Sequence, residues 1–249
     1  MSFWKKCAQK LRDAAAKRGY VCDACGAEIF YYPQERLCGA CQDKLLYNDG
    51  FTCEKCGRKT VTEGVCLSCK RTLPNFTIGI SPLVYIAETA ALINRIKNGD
   101  RRLVYFLGES AADTLVRRLQ GSRYELNEHA LLIPVPLTQE KERARGYNQA
   151  EELARIIAAK LGLALDTETL IKKRETMQQK HLTEQERAQN LKGAFHVHKR
   201  KLVQDKTIIL VDDVMTTGAT GSECARTLMN AGAKAVVFLT VASLPEKVK

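Results

Sequence analysis

No stretch of this 249-residue chain carries about 18 consecutive apolar residues, so no membrane-crossing helix is expected. Its N-terminus also lacks the apolar core of a secretion signal, and a soluble, cytoplasmic protein is the expectation. Two familiar nucleotide-binding patterns are missing as well. Neither a G-x-x-x-x-G-K-S/T loop nor a G-x-G-x-x-G turn occurs, which leaves nucleotide-triphosphate and dinucleotide binding without an anchor. A clear helix-turn-helix pattern is likewise absent, which argues against a transcriptional regulator. Beyond residue 70 cysteine almost vanishes, since nine of the ten precede that position.

Eight of those nine form four C-x-x-C pairs: Cys22/Cys25, Cys38/Cys41, Cys53/Cys56 and Cys66/Cys69. In a cytosolic chain such pairs mean metal more often than disulfide, and no βαβ pattern surrounds them as it would a thioredoxin-like redox pair. Two sulfurs three positions apart in a tight turn can share one Zn²⁺ at about 2.3 Å, and two such turns complete a closed tetrahedral site. Four pairs therefore make two structural zinc sites. Sequential pairing is favoured over interleaving because it closes shorter loops. Gly26 and Gly57 directly follow the second cysteine of their pairs, where the turn needs permissive backbone. With both sites filled, eight thiolates and two Zn²⁺ bring the formal charge of +11 to about +7, still basic.

Phe30, Tyr31, Tyr32, Tyr47 and Phe51 interleave with Arg36, Lys44, Lys55, Arg58 and Lys59. That mixture suits base stacking and phosphate neutralisation; the rival is that the aromatics pack around the zinc turns. Residues 3–18 have helical spacing, with Phe3, Cys7, Leu11 and Ala14 on one face and lysines and arginines elsewhere. Such a helix touches nucleic acid or an anionic membrane, or docks on its own protein. Cys7 and Cys224 fall outside the pairs and read as packing residues.

With 45% hydrophobic residues the chain can bury a full core besides the small cysteine module. From residue 76 short apolar runs (76–86, 131–137, 207–211, 235–241) alternate with helical periodicity (87–97, 103–119, 149–161, 221–231), the pattern of a parallel sheet covered by helices. Thr183 with Glu186 reads as a capping box for one further helix. The stretch at 208–220, Ile-Ile-Leu-Val-Asp-Asp-Val-Met-Thr-Thr-Gly-Ala-Thr, is the richest in chemistry. An apolar strand ends in Asp212 and Asp213 at the sheet edge where ligands bind in open α/β folds. A carboxylate pair there can accept hydrogen bonds from two vicinal ribose hydroxyls and stay close to Mg²⁺. Thr216, Thr217 and Thr220 supply hydroxyls, Gly218 lets the backbone approach closely, and the next helix aims unpaired N–H groups at the loop. A monophosphate fits. The strand at 131–135 leads into a loop, 136–149, where Arg143 and Arg145 are placed to clamp a pyrophosphate and Gly146 with Asn148 opens another helix; a merely solvated, charged loop is the rival.

These thirteen residues resemble the signature of type I phosphoribosyltransferases, which act on 5-phosphoribosyl-1-pyrophosphate (PRPP). R-x-R-G-Y-N-Q at 143–149, I-K-N-G-D at 96–100, and Arg174, Thr176, Gln179, Leu182, Arg187, Asn190 and Ala194-Phe195 narrow the resemblance to the ComF (ComFC-like) competence family, as does a double zinc ribbon ahead of the transferase domain. The resemblance spans about 21–243. It implies a parallel-sheet type I phosphoribosyltransferase fold at 73–249 and a double zinc ribbon at 21–72, ahead of which the helical spacing of 3–18 places a basic helix at 1–20. It implies that Asp212 and Asp213 hold the ribose hydroxyls, that Thr216, Thr217, Gly218, Ala219 and Thr220 wrap the 5-phosphate, and that Mg²⁺ accompanies PRPP. Lys97, Arg174 and Arg187 become candidate pyrophosphate partners, and residues 172–191 a loop closing over the substrate. His181 in that loop is a proton shuttle or a bystander. The function implied is Mg²⁺-dependent displacement of pyrophosphate by an unidentified acceptor, with a role in DNA uptake. The alternative is a non-catalytic PRPP sensor that binds single-stranded DNA and meets DNA-uptake proteins.

Overall fold

The computed structural model describes residues 21–31, 33–124, 126, 127, 129–174 and 184–246. The expected basic helix at 3–18, Tyr32, Thr176, Gln179, His181, Leu182 and Thr183 lie outside these residues.

Packing divides the chain into two compact units, Met1–Leu45 and Leu46–Lys249. The division falls inside the cysteine module rather than at its end near residue 72. The reason is that Cys53, Cys56, Cys66 and Cys69 share one apolar cluster with Phe76, Phe238 and Leu228. The first unit is held by short-range bonds. Val21 bridges Glu28, the Cys22 N–H donates to the Ala27 carbonyl at 2.7 Å, and α1 (Gly39–Gln42) starts directly after Cys38. Leu37, Ile29 and Leu45 are buried in it, with Cys22.

The second unit contains, in order, α2 (Leu67–Arg71), β1 (Ile78–Ile80), β2 (Leu83–Val84), α3 (Ala87–Lys97), α4 (Arg102–Leu119), β3 (Ala130–Pro134), α5 (Gln139–Arg145), α6 (Gln149–Leu161), β4 (Ala164–Leu165), β5 (Leu170–Lys172), α7 (Glu184–Leu191), β6 (Phe195–Val197), α8 (Arg200–Val203), β7 (Thr207–Met215), α9 (Ala219–Asn230) and β8 (Ala235–Ser243). The main sheet runs β1-β8-β7-β3-β4, parallel throughout, with β2 also parallel to β8. Strands this apolar need cover on both faces. One face, from Leu131, Ile133, Ile208, Leu210, Val236 and Phe238, packs on Cys224, Ala225 and Leu228 of α9. Strand alternation sends Leu132, Ile209 and Val237 to the other face, on the side of α4 and α6.

The four expected helices form, α9 beginning at Ala219 rather than 221. Three local features differ from expectation. The apolar run 76–86 breaks into β1 and β2 at Pro82, which has no N–H to give the ladder. The loop 136–149 contains α5, and the segment 172–191 starts in β5 and ends in α7. A small antiparallel pair, β5 with β6, stands apart from the main sheet; at three residues each, these strands are too short for a period-two signal.

Candidate functional site

The eight paired cysteines fall into two groups, Cys22/Cys25/Cys38/Cys41 and Cys53/Cys56/Cys66/Cys69, each with its sulfurs within 4.8 Å of one another. That is the sequential pairing. None of the eight takes part in a disulfide. Cys53 Sγ accepts the N–H of Cys56 at 3.4 Å and of Cys66 at 3.3 Å, the knuckle arrangement that stabilises a thiolate. Burial would raise Cys22, but N–H groups of Cys38, Cys25 and Ala24 bring it down to about 7. Burial and the neighbouring thiols push Cys41 up to about 12, and the hydrogen bond with Cys53 helps push Cys56 to about 11. Four sulfurs so close compete for negative charge, and a divalent soft-ligand cation relieves that competition; both groups fit zinc.

At the other end of β7, the last pair with β3 is Pro134↔Val211, while β8 continues beside Asp212 and Val214. Asp212 and Asp213 therefore project past the carboxyl end of β3 from within β7, which β8 extends four residues beyond the expected end at 211. Lys97 Nζ lies 2.8 Å from Asp213 Oδ2, and Asp212 Oδ1 accepts the Asp213 N–H at 2.8 Å. Burial and the adjacent Asp213 charge push Asp212 up to about 8. Burial pulls Lys97 down, yet Asp213 and then Asp212 more than offset it and hold its ammonium above the usual range. A cleft of about 180 Å³ brings Lys97, Arg145, Asn148, Asp212 and Asp213 together. Its hard carboxylate oxygens, one reluctant to ionise alone, suit Mg²⁺.

The structure gives four predicted residues other surroundings than a simple clamp, and describes a fifth only by its helix. Arg143 is exposed and does not line the cleft. Two positions apart on α5, it sits about 200° around the helix from Arg145, so a two-arginine clamp is not formed in this conformation. Gly146 ends α5 with φ +77. Asn148 is committed to structure: its Oδ1 accepts the Ala150 N–H at 3.0 Å as the cap of α6, and its Nδ2 donates to the Val135 carbonyl at 3.1 Å. Arg174 Nη2 donates to the carbonyls of Asn190 and Lys192 at 2.9 and 3.0 Å, joining the two ends of segment 174–192. Arg187 falls on α7, with its side chain outside the described residues.

The loop after β7 rests on two rings. Gly218, φ +81, starts α9, and the Ala219 N–H donates to Thr217 Oγ1 at 3.3 Å. Phe76 and Phe238 lie beneath with centroids 5.3 Å apart, and a Cβ on Gly221 would come within 2.4 Å of the Phe238 ring. Only glycine lets α9 start this close to β8.

Sequence reasoning missed several supports. Tyr147 Oη accepts the Gly99 N–H at 3.1 Å and ties the 96–100 segment to the 143–149 segment. Asp100 organises that same segment: burial opposes its ionisation, but Arg102 and Arg95 hold it below the usual carboxylate range. Arg58, counted only among basic residues near aromatics, donates from Nε to Cys56 Sγ and from Nη2 to the Thr216 carbonyl, both at 3.2 Å. Nothing in its neighbours along the chain signals a partner 158 positions away. Three of those aromatics are not packed away, Phe30 at 81% exposure, Tyr31 at 68% and Phe51 at 51%, whereas Tyr47 is more covered at 37%.

The phosphoribosyl transferase domain family matches residues 145–249. The DNA utilization protein YhgH of Salmonella typhimurium is 29% identical over 202 residues, covering 80% of this chain and 87% of that protein. The competence protein ComFC of Bacillus subtilis is 29% identical over 215 residues, 82% of each chain. Competence protein F of Haemophilus influenzae is 28% identical over 225 residues, 89% of each.

Proposed function

We propose that this chain, which is similar to YhgH and ComFC proteins over 80% or more of its length and matches the phosphoribosyl transferase domain family at residues 145–249, binds PRPP with Mg²⁺ at the Asp212/Asp213 cleft and transfers the phosphoribosyl group to an acceptor. The observation that carries this reading is one cleft in which two adjacent acids meet Lys97 and Arg145, on the strand that leads into the Gly218 loop and α9. Asp212 and Asp213 accept hydrogen bonds from the ribose hydroxyls. The N–H groups and hydroxyls of Thr216, Thr217, Gly218, Ala219 and Thr220 take the 5-phosphate. Lys97 and Arg145 face the pyrophosphate, with Arg143 and Gly146 close in sequence and Arg174 and Arg187, on the 172–191 segment, as further candidate partners. The acceptor's lone pair forms the new bond to the anomeric carbon as the carbon–oxygen bond breaks, and pyrophosphate leaves with that electron pair. The side chains work electrostatically: cations stabilise charge growing on the leaving group, and the acids lie near the positive sugar. Mg²⁺, which Asp212 and Asp213 would hold, would supply further positive charge to stabilise the leaving group.

The test is pyrophosphate release from PRPP by the zinc-loaded protein with Mg²⁺ and a panel of nucleobases and amines. Replacing both acids by Asn abolishes PRPP binding and release while zinc content stays the same; undiminished release by that double variant refutes the assignment.

The exposed Phe30, Tyr31 and Phe51 in a basic chain favour a second reading, a PRPP-responsive protein that binds single-stranded DNA in the cytoplasm and meets DNA-uptake proteins. Saturable PRPP binding without pyrophosphate release from any acceptor, together with oligonucleotide affinity that falls steeply with salt, supports it over catalysis.

A further inference from the structure

Arg58 connects two parts of the second unit that the phosphoribosyltransferase reading leaves unrelated. It is 7% exposed. Its Nε reaches Cys56 Sγ and its Nη2 reaches the carbonyl of Thr216, the first residue of the loop that opens α9. One rigid guanidinium fork thus spans from a metal ligand to the cradle assigned to the 5-phosphate. Lysine, a point charge on a flexible stem, cannot hold both ends in fixed geometry.

The cysteine end of the bridge is firmly seated. A Cβ on Gly57 would come within 2.2 Å of the Gly79 carbonyl oxygen, and one on Gly79 within 2.5 Å of the Cys56 carbonyl oxygen, so the knuckle lies backbone to backbone on β1. The Gly79 N–H donates to the Lys55 carbonyl at 2.8 Å, and Lys55 Nζ donates to the Thr77 carbonyl at 3.2 Å. Across a cleft of about 500 Å³, Cys56, Arg58 and Cys69 face Thr217, Gly218 and Ala219. Charge favours the same arrangement. Four thiolates around one divalent ion carry two net negative charges, and a buried cation beside them is stabilised.

We propose that Arg58 is a positioning residue that couples the metal-filled second cysteine site to the shape of the 216–220 loop, and through it to 5-phosphate affinity. The identity of the ligand rests on the PRPP reading; the coupling itself does not. A guanidinium anchored on Cys56 keeps the Thr216 carbonyl turned toward the ribbon, which leaves the N–H groups that follow pointing into the cradle. Loss of the metal or of the fork frees that carbonyl.

The experiment compares zinc-loaded full-length wild type with Arg58→Met and Arg58→Lys, reading amide hydrogen exchange, zinc content and calorimetric affinity for ribose 5-phosphate and for inorganic pyrophosphate. Arg58→Met should speed exchange across 216–222 and weaken ribose 5-phosphate about tenfold, the loss expected for one charge-assisted hydrogen bond. Pyrophosphate affinity and zinc content should not change, and Arg58→Lys should recover part of the loss. Unchanged exchange at 216–222 in a variant that keeps both zinc ions would overturn the proposal, and so would equal weakening of the two ligands. Faster exchange at 216–222, in a protein whose wild type ignores ribose 5-phosphate and PRPP, would support the coupling and sink the PRPP reading instead. Should Arg58→Met lose zinc, Arg58→Lys carries the same exchange measurement.

Discussion

The two cysteine groups are written in the same motif and live in different surroundings. In the first, Cys22 is buried, Cys25 is exposed, and Cys38 and Cys41 are half-buried. In the second all four are buried, in one cluster with the core of the sheet and α9. The first closes on itself through Cys22–Ala27 and Cys22–Gly26 backbone bonds. The second makes the equivalent Cys53–Arg58 and Cys53–Gly57 bonds and then adds long-range ones: Gly79 to Lys55, Leu67 to Glu246 Oε1 at 2.7 Å, and Glu246 to the Lys59 carbonyl at 2.9 Å. A repeated motif repeats its turn geometry. What the turn is for depends on what packs against it.

The comparison breaks most easily at the metal. Cys56→Ser should unfold much of the second unit, since zinc binding in a small closed site contributes on the order of 10 kcal/mol; Cys38→Ser should leave the second unit's melting transition in place. Calorimetric scans of both variants decide this, and equal effects would show the two sites to be equivalent. Chelator titration followed by mass spectrometry should likewise remove the first ion sooner than the second.

Next come the matching glycines. Gly57→Ala meets the Gly79 carbonyl oxygen at 2.2 Å with φ +70, while Gly26→Ala, φ +79, meets nothing within 4 Å. The first should cost about 3 kcal/mol or more through backbone displacement, the second about 1 kcal/mol for the left-handed conformation alone. Denaturant midpoints that move equally would contradict the difference in packing.

A smaller effect concerns Asp212, in the cleft with Lys97 and Asp213. Asp212 is pushed from 3.8 to about 8 in the fold, so its ionisation opposes folding. The cost is absent below about pH 4 and grows as pH rises toward 8. Discounted for partial exposure, Asp212→Asn should stabilise the protein by about 1–2 kcal/mol at pH 8 and negligibly at pH 4. A thermal shift independent of pH would remove the electrostatic explanation.

Smallest in stability is Phe30→Ala on the first unit. At 81% exposure the ring should matter by less than about 0.5 kcal/mol to folding. If it stacks on bases, single-stranded DNA affinity should fall by about 1–3 kcal/mol in a fluorescence titration; an unchanged titration removes Phe30 from that surface.

Much of this was readable residue by residue. Four C-x-x-C turns announce their ligands because the chelating atoms are near neighbours in the chain. The strand, acids and glycine loop of 207–220 are contiguous for the same reason, and the helices 87–97 and 149–161 show in their periodicity. The placement of Arg145 but not Arg143 in the cleft was not readable, because it follows from a seven-residue helix where a loop was expected. Nor was the structural duty of Asn148 and Arg174, whose partners are backbone carbonyls that leave no mark on side-chain chemistry.

Local order therefore dictated the ligand sets, the α/β alternation and the acid–glycine signature, since each depends on groups a few bonds apart. Assembly in space chose which cysteine turn became part of the sheet's core, made Arg58 the link between Cys56 and Thr216, and set Lys97 against Asp213. The Arg58–Thr216 and Lys97–Asp213 contacts join residues more than a hundred positions apart, and only close packing with burial makes their charges and hydrogen bonds strong enough to matter.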